Sequence, residues 1–226
     1  MLAEWISAAL PNVRLAPLLK ATQDTLYMTA MAGAAVFVLG LLLGTALYLT
    51  SPGRLLANRP LYWTLSTLTN VFRAIPFIIL LVLLIPFTRA VVGTILGVNA
   101  ALPALIFGAA PFYARLVELA FREVDRGVIE ATRAMGGGIG TVVLRVLIPE
   151  AAPALVSGLT VTLIALVGYT AMAGAIGAGG LGHLAYLEGF QRSRRDVTLA
   201  ATLAVLLIVF VIQFLGDRLA RRLDKR

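Results

Sequence analysis

Residues 25 to 53, 90 to 114, 151 to 182 and 197 to 216 carry no Asp, Glu, Lys or Arg, and this spacing of charge leaves few folds open. A bilayer core of about 30 Å is crossed by roughly 20 helical residues at about 1.5 Å each, and all four runs reach that length. In hydrocarbon every backbone N–H and C=O must find its partner inside the segment, so such runs become helices. With 60% hydrophobic and 13% charged residues, the chain lies well above the roughly 45–50% apolar content of soluble domains. No polar block is large enough for a separate soluble domain.

A fifth run, 60 to 88, is divided by Arg73 into pieces of 13 and 15 residues, each too short to cross alone. One helix containing Arg73 is the expected solution. The alternative, two re-entrant half-segments, strands backbone groups unless protein covers them. The sequence therefore predicts an all-α membrane protein with five transmembrane helices and termini on opposite sides.

Of the 19 Lys and Arg residues, Arg14, Lys20, Arg89, Arg192, Arg194 and Arg195 fall on one face. All the others except Arg73 fall on the opposite face. The positive-inside bias puts the richer face, with the C-terminus, in the cytoplasm and the N-terminus outside. The net charge of +8 is thus scattered between apolar runs, not gathered into a nucleic-acid footprint. Without cysteine there is no disulfide framework, thiol nucleophile or cysteine metal site. The N-terminus has Glu4 where a signal peptide carries bases, so no cleaved signal is expected. Trp5 among apolar neighbours suits either an interfacial segment over 1–19 or an unstructured tail.

Between the third and fourth runs lies the most polar part of the chain. Glu118 and Arg122, then Arg126 and Glu130, stand four apart and can pair on a helix surface. Leu116, Val117, Ala120, Val124, Val128, Ala131 and Met135 recur at three- and four-residue steps, predicting one amphipathic helix from Arg115 to Gly136. Gly136-Gly137-Gly138 ends it, and Pro149 suits the first turn of the next span. Such a helix either rests on lipid headgroups or meets a water-soluble partner.

The order Glu130-Ala131-Thr132, three residues, Gly136, nine residues, then Val146-Leu147-Ile148-Pro149 resembles the cytoplasmic signature of permease subunits in ATP-binding-cassette importers. Thr132 departs from the usual second alanine but stays small. Asn70 to Phe77, Ile85 to Arg89 and Leu166 to Gly182 extend the resemblance, over roughly 20 to 220, to methionine-uptake permeases of the type I fold. It implies a transmembrane domain over 20–217 with a coupling loop at about 118–149, and a basic cytoplasmic tail over 218–226. Val128, Glu130, Ala131, Thr132, Arg133, Met135, Gly136 and Pro149 would couple the chain to an ATPase. The chain has no Gly-x-x-x-x-Gly-Lys-Ser/Thr phosphate loop, so ATP and Mg would be bound by that separate subunit. The further implication is a homodimer in the bacterial inner membrane, with two cytoplasmic ATPase subunits and a lipid-anchored extracytoplasmic substrate-binding protein. The cargo would be D- or L-methionine, or another amino acid or small solute carried by the same architecture.

Within the spans three residues are candidates for the translocation path or gate. Arg73 costs roughly 2.5–3.5 kcal/mol at mid-bilayer. It either meets the carboxylate of an amino acid in transit or bonds the carbonyls freed by Pro76. Tyr169 and Met172 stand among the small residues Gly168, Thr170, Ala171, Ala173 and Gly174. Met172 suits a rearranging constriction or plain core filling. Gly40/Gly44 and Gly93/Gly97 have the spacing of close helix contacts. Gly177 to Gly182 matches Gly-x-Gly-x-x-Gly, yet it closes a membrane run with no strand before it, so a bend at the outer mouth is expected instead of a dinucleotide site. His183 is expected at the surface, and Glu188, Arg192, Arg194, Arg195 and Asp196 form an outer loop where a delivery protein could land. A membrane-embedded enzyme lacks its parts here: no cysteine, one histidine and no intramembrane carboxylate pair.

Overall fold

The computed structural model describes residues 11–224, and every regular element among them is helical. α1 (Leu15–Thr50) has 36 residues, roughly 54 Å at about 1.5 Å per residue. α2 (Arg59–Ala74) starts where the Asn58 side chain accepts from Leu61 N, with proline in its first turn. α3 (Phe77–Leu83) and α4 (Ile85–Val92) follow. α5 (Val98–Arg122) and the short α6 (Arg126–Ala134) come next. α7 (Ile139–Ala178) contains π-helical turns at Val143–Leu147 and Gly174–Ala178. α8 (Gly180–His183) runs into a π-helical turn, Leu184–Phe190, and α9 (Arg195–Leu223) closes the fold. Of the segment expected over 1–19, residues 1–10 lie outside the described residues, and the rest is already helical from Leu15. The tail expected from 218 continues α9 to Leu223.

Four helices among the described residues are long and apolar enough to span a bilayer, five if the bent pair α2–α3 counts as one span. The run 60–88 is therefore not the single helix expected through Arg73. Pro76 has no N–H to continue α2 and drives the preceding residue out of the α region. Ile75 accordingly takes φ −73° and ψ 123°, and the axis turns by 106° into α3. The Pro76 carbonyl then accepts from Ile79 N at 2.9 Å and Leu80 N at 3.0 Å, starting the new helix.

The glycine pairs divide. Gly40 and Gly44 do lie at close approaches: a Cβ on Gly44 would stand 2.5 Å from the Ala114 carbonyl oxygen and 2.6 Å from Val117. Gly93 and Gly97 instead have φ +82° and +90° and form the turn between α4 and α5, where L side chains are strained.

The chain divides into two compact units. In one, residues 11–34, 76–106 and 163–212, the core gathers Ala21, Val167, Leu181, Leu184, Val197, Ala201 and Ile208. Glycines allow its tightest approaches: a Cβ on Gly174 would stand 2.5 Å from His183 N, and one on Gly180 2.8 Å from Thr25 Oγ1. In the other, residues 35–75, 107–162 and 213–224, Tyr48, Tyr113, Phe121, Leu147 and Val117 are fully enclosed. There Tyr48 meets Phe121 edge to face at 5.7 Å, and the Tyr113 hydroxyl donates to the Leu155 carbonyl at 3.3 Å.

Candidate functional site

The segment after α5 breaks once more than its periodicity predicts. α5 stops at Arg122, and Asp125 caps a separate α6, its carboxylate accepting from Gly127 N at 2.6 Å. This stop re-phases the apolar face. Val117, Ala120 and Val124 are buried as expected, but in α6 Ile129 alone turns inward, while Val128, Ala131 and Met135 are exposed. Met135 reaches 82% exposure, the highest of the large apolar side chains among the described residues. Glu130 and Arg133 are exposed beside them. Thr132 donates to the Val128 carbonyl at 2.8 Å, and its own carbonyl accepts from Gly137 N at 2.9 Å. Gly136, at φ +84°, ends the helix as its composition predicts.

α6 is thus a short rod held on one side by Ile129 and free on the others. A cleft of about 230 Å³, lined by Tyr48, Arg54, Arg126, Ile129, Glu130 and Arg133 among others, runs along it. Arg54 lies over the Tyr48 ring, 4.6 Å from its centroid, and donates to the Tyr48 hydroxyl at 3.0 Å. The glycine stop leads into α7, where Pro149 is exposed just past the π-helical turn Val143–Leu147. Pro149 is the second residue of the α-helical stretch Ile148–Ala173, in its first turn as expected, although short helical turns from Ile139 precede it in the same span. The π turn, in which Ile148 N donates to the Val143 carbonyl, adjusts the ladder just before the residue that cannot donate.

Glu118, read from sequence as half of a surface pair, has no exposed side-chain area. Its two oxygens meet Arg115 at 2.5 Å and Arg122 at 2.6 Å. Tyr62 of α2 donates to the same carboxylate at 3.3 Å and accepts from Arg122 at 3.2 Å. A buried carboxylate persists only when paired and hydrogen-bonded, and this one has both.

Arg73 differs in every respect. It occupies the last turn of α2 and is exposed. Its guanidinium carbon lies 5.8 Å from the Phe112 ring centroid, and among the described residues it makes no hydrogen bond to a carbonyl. The carbonyl-bonding role weighed for it is not what the side chain does here. The neighbouring Phe72 stacks on Phe107, centroids 6.0 Å apart.

Tyr169 and Met172 belong to the other unit. Tyr169 stacks on Phe77 at 4.5 Å with planes 3° apart. Met172 is 48% exposed, on one face of α7 with Val161, Gly168 and Ile176. It is not core filling within this chain. The glycine run beyond it contains left-handed residues at Gly177, Gly179 and Gly180 and turns α7 into α8, a bend and not a phosphate cradle. His183 is part-buried, not a surface residue, and its Nδ1 has no hydrogen-bond partner among the described residues. It lines a cavity of about 570 Å³ with Arg14, Lys20, Asp24, Glu188 and Arg192 among others. Glu188 pairs with Arg192 at 2.6 Å, and Asp196 accepts from Asn12 N at 2.7 Å.

Sequence reasoning missed three residues that shape the site. Asp125-Arg126-Gly127 carried a helix-start signal, an Asp cap beside a residue poor in the helix interior. Ile129 becomes the anchor only through that restart. Tyr62 had no local signal, because its partner lies 56 positions away.

Residues 36–226 match the family model described as binding-protein-dependent transport system inner membrane component. The chain is 56% identical over 216 residues to the methionine import system permease protein MetP of Bacillus subtilis, covering 96% of this chain and 97% of that protein. It is 49% identical over 209 residues to the D-methionine transport system permease protein MetI of Escherichia coli K12, covering 92% and 96%. Its fold superposes on a solved chain of the MetNI methionine ABC transporter in an inward-facing conformation with TM-score 0.91 and 49% identity, covering 92% of this chain and 97% of that one.

Proposed function

The chain belongs to the family of binding-protein-dependent transport system inner membrane components, and from that membership we propose that it is the permease subunit of an ATP-driven methionine importer. It is a multi-pass inner-membrane protein, and it works with an ATPase and a substrate-binding protein. The observation that carries the methionine assignment is near-full-length identity of 56% to a methionine import permease.

The finer reading has two copies of the chain, each offering α6 to one of two ATPase subunits, which hold the ATP and Mg. Two-fold symmetry gives each ATPase one handle. A lipid-anchored binding protein delivers cargo to the opposite face, and the C-terminus and α6 are cytoplasmic. What supports the role of α6 is its form: Val128, Ala131 and Met135 are uncovered, Glu130 and Arg133 flank them, and Ile129 fixes the rod to its own unit. ATP-driven closure of the ATPase pair pulls on α6 and alternates inward- and outward-open arrangements. Arg73, with free N–H donors, is placed to meet a substrate carboxylate, and Tyr169 with Met172 to narrow the path. No catalytic step is assigned to the chain.

The test is uptake. Co-expressed with its ATPase subunit and reconstituted with its binding protein, the chain should fill proteoliposomes with labelled methionine only when ATP is supplied. ATP-dependent uptake of a different amino acid, with none of methionine, would overturn the cargo assignment. Absence of any ATP-driven uptake from a complex that hydrolyses ATP would overturn the permease assignment.

A further inference from the structure

The second unit joins α2 to α5 at two levels. At one level Tyr62 bridges the helices: its hydroxyl donates to Glu118 at 3.3 Å and accepts from Arg122 at 3.2 Å. Both arginines that neutralise Glu118 come from α5 itself, at three and four residues' distance. The charge cluster is therefore complete within α5, and the Tyr62 hydroxyl is the one group from α2 that enters it. At the other level, ten and eleven residues along α2, Phe72 stacks on Phe107 and Arg73 lies over Phe112. Between these levels α2 buries the polar Ser66 and Thr69 and exposes Trp63, Leu68 and Val71. Hydrophobic burial therefore contributes little to holding α2 on its neighbour, and directional contacts carry the attachment.

α5 continues through three residues into α6, whereas α2 ends at Arg73 and the Pro76 bend. We propose that Tyr62 is the positioning residue that makes α2 and α5 one lever, so that a displacement of α6 reaches the Arg73 end of α2. This rests on the reading of α6 as the ATPase handle. A hydrogen-bonded tie at a buried carboxylate suits this task because it holds direction as well as distance. The aromatic contacts at the far level tolerate sliding, so loss of the Tyr62 hydroxyl frees α2 to lag behind α5.

The variant is Tyr62→Phe, which keeps the ring and removes only the hydroxyl. In proteoliposomes containing the whole complex, ATP hydrolysis should persist while methionine moved per ATP falls by about fivefold or more, the lower end of ordinary coupling between sites. A structural role alone would lower both together and leave their ratio unchanged, and that result overturns the proposal. A second measurement holds even if the variant assembles poorly. The chain has no cysteine, so spin labels at exposed Leu68 and Leu119 of one copy, in a complex whose other copy is unlabelled and whose partner subunits carry no reactive cysteine, report the α2–α5 distance alone. In the complex with Tyr62 intact that distance should be the same with and without ATP, and a shift on ATP binding overturns the lever. If the unmodified complex neither captures the ATPase nor imports, the failure belongs to the handle reading, because the tie is then never loaded.

Discussion

The two ends of the α2–α5 pair treat charge in opposite ways. Glu118 has no exposed side-chain area and is held by Arg115, Arg122 and Tyr62. Arg73 is exposed and lies over the face of Phe112, its guanidinium carbon 5.8 Å from the ring centroid. The first charge is consumed by the chain's own architecture, and its removal is a structural event. In the proposed function the second keeps its donors for a substrate carboxylate. The lesson is that a polar residue's partners within the fold separate ties from sites better than its position in the run does.

The comparison breaks first at its filled end. Glu118→Leu leaves two arginines facing each other without their anion, and should cost about 3 kcal/mol. Part of that penalty is relieved by water, because Arg122 is 42% exposed. The purified complex should melt several degrees lower, and unchanged melting would show the cluster to be ornamental. At the open end Arg73→Gln should lower stability by no more than the about 0.5–1 kcal/mol of its contact with Phe112, yet lower methionine uptake roughly tenfold, about 1.4 kcal/mol of lost binding. Full uptake by that variant would remove Arg73 from the path. Asp125→Ala removes the cap of α6 and should cost about 1 kcal/mol locally. It would appear as faster amide exchange over residues 126–134 with exchange in α5 unchanged. The smallest effect is Phe112→Leu, which takes away the ring beneath Arg73 at about 0.5–1 kcal/mol, read as a slight fall in melting temperature.

Much of this was legible from composition along the chain, because bilayer thickness and backbone satisfaction translate run length directly into helices. The uncharged runs became α1, α5, α7 and α9, and the glycine stop after Met135 fell where it was expected. The errors came where run length and rhythm were read as unbroken helix. The length of 60–88 predicts one helix through Arg73, but Pro76 breaks it, because its missing N–H acts whatever charge lies nearby. The three- and four-residue rhythm from Leu116 to Met135 ran straight across the stop at Asp125, since periodicity carries no memory of a lost turn. Gly93 and Gly97 had the spacing of packing glycines, but spacing does not report φ.

The site was half legible. Its signature, Glu130 to Gly136 with Pro149, lay in the order of residues, and that order led to the family. Which residues stand uncovered did not: Val128, Ala131 and Met135 belong to the exposed side only because Ile129 takes the inward position. The burial of Glu118 was hidden for a related reason. A helix-surface pair and a buried ion pair have identical local sequence, and the difference is made by Tyr62 arriving from another helix.

In the proposed function α6 is the part that a nucleotide-hydrolysing partner grips. A single cysteine replacing Met135, unique in a cysteine-free chain, can be cross-linked in inverted and right-side-out membrane vesicles containing the complex. The prediction is capture of the ATPase subunit at that position, with the cysteine open to impermeant reagents in inverted vesicles stripped of the ATPase. Labelling only in right-side-out vesicles, or cross-links that never reach the ATPase while the complex still imports methionine, would contradict it.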